Sequence, residues 1–225
     1  MDPGTAPLPD ARRLDGGVQT ASTQTLNLDD LTAPVLTDVQ RQILEFTESR
    51  DVVLEPDRML EEAVAQAGAD DLADDDGFAD RLSAHVAAIE SDTGLRQLSR
   101  STLRARGVRL LRNRLSLTDL LKRYPEIESV EIERPLIVVG MPRSGTTHLV
   151  NLIAADPRRR ALPYWESQEP IPATGQGPDA FGIDPRYVRA KAEHEAMMAS
   201  TPYVAAMHDR FPEAIEDDRA DARRT

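Results

Sequence analysis

The sequence contains no cysteine. Disulfides, Cys-ligated zinc and thiol nucleophiles are therefore excluded. Aromatic residues are scarce at 4%, so any core must be built from Ala, Leu and Val. No run approaches the roughly 18 apolar residues of a membrane span. The N-terminus shows no basic segment followed by an apolar one. The expectation is a soluble, cytoplasmic protein. Positive charge is also short, with 27 Lys and Arg against 39 Asp and Glu and a formal net charge of -12. That balance argues against non-specific nucleic-acid binding but leaves room for a local basic pocket for a small anion.

What is present falls into three stretches. Residues 1–28 carry Pro, Gly, Thr and Asp without periodicity and read as a disordered arm. Residues 29–132 read as a helical region. A first helix starts near Thr37 or Asp38 and carries Val39, Ile43, Leu44 and Phe46. A second runs from Pro56 to Gln66 and stops at Gly68. Asp70 to Asp76 make an acidic loop, and a third helix spans Phe78 to Glu90. A basic helix from Gly94 to Arg114 carries Arg100, Arg104, Arg106, Arg109, Arg112 and Arg114. Those arginines either steer an anion or simply form a charged exposed face. A short helix, Leu117 to Arg123, ends before Tyr124-Pro125.

The pattern changes in residues 133–225. Leu136 to Val139 form a continuous apolar run after Pro135, which is how a buried parallel strand reads. Gly140 to Gly145 form a turn, and Thr146 to Ala155 show helical spacing. A strand, a Gly-bounded loop and a helix open an α/β domain. The expected fold is thus an α/β, P-loop-containing parallel sheet, incomplete in this chain, preceded by the helical N-terminal region. Arg160 to Tyr164 suggest a second short strand, Ile171 to Gly182 a loop, and Asp184 to Ser200 a last helix.

The loop carries the chemistry. Backbone N–H groups at a helix start lack intrahelical partners and, with the helix dipole, attract anions. Gly140 and Gly145 have the spacing of the ATP/GTP loop G-x-x-x-x-G-K-[ST], and Thr147 matches its final hydroxyl. The lysine position, however, is Thr146, and the cation sits three residues earlier at Arg143. A dinucleotide G-x-G-x-x-G also fails, because Met141 and Pro142 follow Gly140. The bland alternative is an ordinary turn rich in Gly, Ser and Thr.

Pro142-Arg143-Ser144-Gly145-Thr146-Thr147 after a Val-rich run resembles the 5′-phosphosulfate loop of sulfotransferases. Those enzymes use 3′-phosphoadenosine 5′-phosphosulfate (PAPS). The wider text is similar to bacterial members of that family, through the Arg-rich helix, Ile132 to Pro135, Ala154 to Pro157, and Leu162 to Glu166. The resemblance covers roughly residues 35 to 215. It implies that Arg143, Ser144, Gly145, Thr146 and Thr147 grip the phosphosulfate without a metal. Arg143 would also stabilise the leaving oxygen. Glu166 is the candidate general base for an acceptor hydroxyl, placed at the end of a second strand; a surface carboxylate paired with Arg143 or Arg160 is the alternative. The acceptor would be a small hydroxyl compound, with lipids and glycolipids among the candidates. A P-loop kinase or NTPase, and a non-catalytic fragment, are the rival readings.

Other motifs carry less. His148 reads as structural, and His208 as a weak candidate for substrate contact. His194-Glu195 begins like H-E-x-x-H, but Met198 stands where the second His belongs. Asp74-Asp75-Asp76-Gly77 lacks calcium ligands at Leu72 and Ser83. The 59 residues after Glu166 contain no further Val/Ile-rich strand and no Arg-x-Pro segment leading to serines that would hold a 3′-phosphate. The expectation is an N-terminal part of a larger enzyme, with Asp217 to Thr225 a tail left by a frameshift or premature stop.

Overall fold

The computed structural model describes residues 34–73, 77–141, 144–201, 203–204 and 211–214. The expected arm, Asp74 to Asp76, His208 and the C-terminal tail lie outside them. The chain divides into a unit of residues 1–36, of which Pro34 to Leu36 are described and carry no regular secondary structure, and a unit of residues 37–225.

The second unit is helical. Helix α1 (Asp38–Glu48) begins with a capping box: Thr37 accepts from the Gln40 amide, and the Gln40 side chain accepts from the Thr37 amide. Helix α2 (Pro56–Ala67) starts at a proline and ends at Gly68, whose φ of 68° suits a residue without Cβ. Helix α3 is Phe78–Glu90. Helix α4 (Gln97–Arg123) merges the two helices that the sequence suggests between Gly94 and Arg123. The reason is packing: Leu115, fully buried, continues the apolar face of Val108 and Leu111 straight through the expected gap. A 3₁₀ turn (Pro125–Ser129) follows.

The core sits among these helices. Met59 and Ala63 of α2, Val86 of α3, and Val108, Leu111 and Leu115 of α4 meet there with Leu54. Gly107 sets how closely α2 and α4 approach, since a Cβ there would lie 2.3 Å from the Met59 Cε. Arginines of α4 tie the bundle together. Arg100 reaches Glu90 and the Val52 carbonyl, Arg104 reaches Glu62 at 2.6 Å, and Arg114 bonds the Leu72 carbonyl and covers the Phe78 ring. Much of the basic face is therefore structural. No helix among the described residues is long and apolar enough to cross a membrane.

The expected parallel sheet is absent among the described residues. Leu136 to Val139 form no strand, and Ile137 and Val139 are 79% and 87% exposed. A strand forms only when its backbone pairs with another, and none is present among the described residues to receive this run. The second expected strand also fails. Arg160 to Leu162 are irregular, Pro163 makes an isolated bridge, and helix α6 (Tyr164–Gln168) begins at once. Helices α5 (Thr146–Ala154) and α7 (Pro185–Ser200) complete the order.

Candidate functional site

The loop before α5 is shaped by two glycines. At Gly140 a Cβ would fall 2.7 Å from both Ser144 Oγ and Thr146 Cγ2, so any side chain there would have to displace both. Gly145, the N-cap of α5, has a φ of 92°, in the left-handed region that disfavours side chains. The Ser144 amide donates to the Met141 carbonyl at 3.1 Å, and the Leu149 amide to the Gly145 carbonyl at 3.0 Å. No side chain caps α5, and its first turn holds no acid. Its opening amides thus keep their attraction for an anion. Ser144 and Gly145 are exposed, and Thr146 and Thr147 half-buried beside them. Arg143 lies outside the described residues. His148 is exposed on the first turn of α5.

Glu166 lies in the first turn of α6, not at a strand end. Its Oε2 accepts from Arg160 at 2.7 Å, and its side chain is 17% exposed. The neighbouring arginines are otherwise engaged: Arg158 donates to Asp156 through Nε and Nη2, and that bond holds the Asp156 carboxyl below its usual range.

Sequence reasoning missed the frame that carries α6. Arg186 of α7, 9% exposed, donates to the carbonyls of Glu169 and Pro170 at 3.0 and 3.2 Å. It also pairs with Asp184 at 2.8 Å and lies 4.8 Å from the Trp165 ring centre. The Arg186 bond holds the Asp184 carboxyl below its ordinary value. The Glu169 side chain takes Arg189 through both oxygens, at 3.0 and 2.7 Å, and lies 3.6 Å from Arg112. Burial pulls the Glu169 carboxyl up, but the Arg189 bond and the charges of Arg112, Arg189 and Arg186 outweigh it and hold the group below its usual range. From α4, Asn113 donates to the Gln168 carbonyl at 2.9 Å.

Residues 211–214 close the other end. The carbonyls of Ala214 and Pro212 accept from the Tyr164 and Trp165 amides at 2.9 and 3.1 Å, satisfying the free start of α6. The Tyr187 hydroxyl donates to Glu213, and that bond, with burial, pushes the phenol up to about 12. His194 packs against Phe211, ring centres 6.2 Å apart. An Asp-Pro-Arg start to α7 and a Trp beside it were the readable signals of this frame.

A sequence profile described as the sulfotransferase family matches residues 135–224, which include the loop, α5, α6 and α7. No match was found among curated proteins. The fold is similar to a crystal structure of a sulfotransferase from Mycobacterium tuberculosis, with 30% identity and a TM-score of 0.56 over 68% of this chain and 42% of that one. It is likewise similar to a sulfotransferase from Mycobacterium avium, with 25% identity and a TM-score of 0.57 over 75% of this chain and 41% of that one. The chain thus spans about two fifths of the length of these solved sulfotransferases. The profile match and the structural likeness agree: residues 135–224 belong to the sulfotransferase family, and the fold resembles that of bacterial sulfotransferases.

Proposed function

We propose that this chain carries the donor-binding loop and the acceptor-activating carboxylate of a sulfuryl transfer from PAPS to a hydroxyl compound. The observation that carries this reading is the Gly140–Thr147 loop, curled onto an uncapped, acid-free helix start, inside the stretch that matches the family. The fit to the donor is chemical. A phosphosulfate is a compact anion, and a helix N-terminus with hydroxyl residues at Ser144 and Thr147 is the kind of site that binds one. Arg143 supplies the fixed charge for the leaving phosphate oxygen, the role a lysine takes in ATP-cleaving loops.

Glu166 is the base in this reading. Arg160 occupies Oε2, while Oε1 has no partner among the described residues and is open to an acceptor O–H. In the transfer the acceptor oxygen bonds sulfur as its proton passes to Glu166. The bond from sulfur to the 5′-phosphate oxygen breaks, and 3′-phosphoadenosine 5′-phosphate leaves. The frame of Arg186, Asn113 and residues 211–214 keeps α6 in place for that step.

Calorimetric titration tests the donor assignment. The expected result is that 3′-phosphoadenosine 5′-phosphate binds more tightly than ATP-Mg, and that Arg143→Ala abolishes the difference. Tighter binding of ATP-Mg would instead support a nucleotide kinase or NTPase.

A further inference from the structure

Residues 131–140 make no hydrogen bond among the described residues, by backbone or by side chain. Their N–H and C=O groups, the Pro135 nitrogen aside, are left for water or a partner. The side chains are equally uncovered: Val130, Ile132, Leu136, Ile137, Val139 and Met141 are all exposed. Single exposed apolar residues are ordinary, but a contiguous stretch of them marks an interaction surface. Ile137, Val138 and Val139 are β-branched in succession, which suits a strand better than a helix.

The head of the run is held against its preference. Arg134 has a φ of 51°, in the left-handed region, although it precedes Pro135, a position that favours extended backbone. Straightening of the run into a strand meets both preferences.

The border of the run is acidic. Glu126, Glu128, Glu131 and Glu133 are exposed and form no ion pair among the described residues. Against them, residues 126–141 hold one cation, Arg134. A partner seated here is favoured if it brings positive charge to that border. A second copy of this chain brings the same carboxylates, and a net charge of -12 against another -12.

We propose that residues 130–141 are a docking edge for a different polypeptide, one that offers an open β-strand with Lys or Arg beside it. The run pairs with that strand through backbone hydrogen bonds, while its exposed side chains meet the partner's apolar ones. The solved sulfotransferases hold more than half of their length outside the part that this chain matches, which is ample chain for such a surface. The inference needs neither the donor nor the base assigned above.

The probe is a short peptide of alternating valine and threonine with lysines at both ends, added to the whole chain. Hydrogen exchange read by mass spectrometry follows its binding. At a peptide concentration about ten times its Kd, exchange at residues 136–139 should slow about tenfold. The same peptide with its backbone amides methylated should give no protection, since it cannot donate to the run. A glutamate-ended peptide should bind several-fold more weakly, the scale of exposed ion pairs. Ile137→Asp combined with Val139→Asp should abolish protection by the lysine-ended peptide. Phe181→Asp, at an exposed site outside the run, should leave it unchanged. Circular dichroism of the doubly substituted chain should match the parent, because neither residue lies in the core. The proposal is overturned if the lysine-ended peptide gives no protection, if protection centres outside residues 130–141, or if the methylated peptide protects equally. It fails as well if the doubly substituted chain binds like the parent, or if the glutamate-ended peptide binds as tightly as the lysine-ended one. Light scattering that finds the free chain dimeric, and monomeric after the double substitution, would assign the edge to a second copy instead.

Discussion

Glu169 shows how one carboxylate can link three helices. Its side chain is bonded to Arg189 of α7 and lies near Arg112 of α4, while its backbone N–H donates to the Trp165 carbonyl at the end of α6. Its folded-state pKa is depressed, so the stabilisation it contributes is fully present above the unfolded value near 4.5 and is lost as pH falls through the folded value. Glu169→Gln cannot titrate. The variant is expected to melt at a lower temperature than the parent at pH 7, with the gap narrowing as pH falls below the unfolded value of 4.5. Thermal melts followed by circular dichroism across that range check it, and a gap independent of pH would show that Glu169 acts by shape alone. Asp184, also held low by Arg186, contributes to the acid slope of both proteins and leaves the difference intact.

At the scale of elements, helices were legible and strands were not. Thr37, Pro56, Gly68 and Asp184 mark helix ends by local chemistry: a side-chain cap, a fixed φ, a left-handed φ and an acid bonding the Arg186 amide. Such signals act within four residues and survive any tertiary context. Leu136 to Val139 carry an equally plain local signal, but a strand depends on a partner that its own sequence does not supply. The same limit hid the site's frame. The Gly140 and Gly145 requirement could be read from spacing, while the contacts of Arg186 with Glu169 and Pro170 join positions 16 and 17 residues apart through packing. Element α4 yields a direct test of where stability resides. Leu115 is fully buried against the α2 and α3 residues. Leu115→Ala should cost about 3 kcal/mol, the usual result when a leucine-sized cavity is left in a packed core. Urea denaturation measures it, and a loss under about 1 kcal/mol would mean that the α2–α4 core is loosely packed.

Across the whole molecule, burial and chemistry lie in different places. The apolar core is built by α2, α3 and α4, whereas α5 buries none of its residues and the run leading to it exposes Val130, Ile132, Leu136, Ile137, Val139 and Met141. Local opening costs least where few apolar contacts must be broken. The amides of α2 and α4 should therefore exchange slowest with deuterated water, and those of residues 130–141 should exchange fastest. Binding of 3′-phosphoadenosine 5′-phosphate should add protection chiefly at residues 144–149, because the α5 amides are the groups that would meet its 5′-phosphate. Hydrogen exchange read by mass spectrometry, with and without that ligand, separates the cases. Ligand protection centred on α4 would move the anion site from the α5 loop to the arginine face. Slow exchange across Leu136 to Val139 in the free chain would mean that this run finds a strand partner in solution, which its exposed β-branched surface is chemically suited to accept.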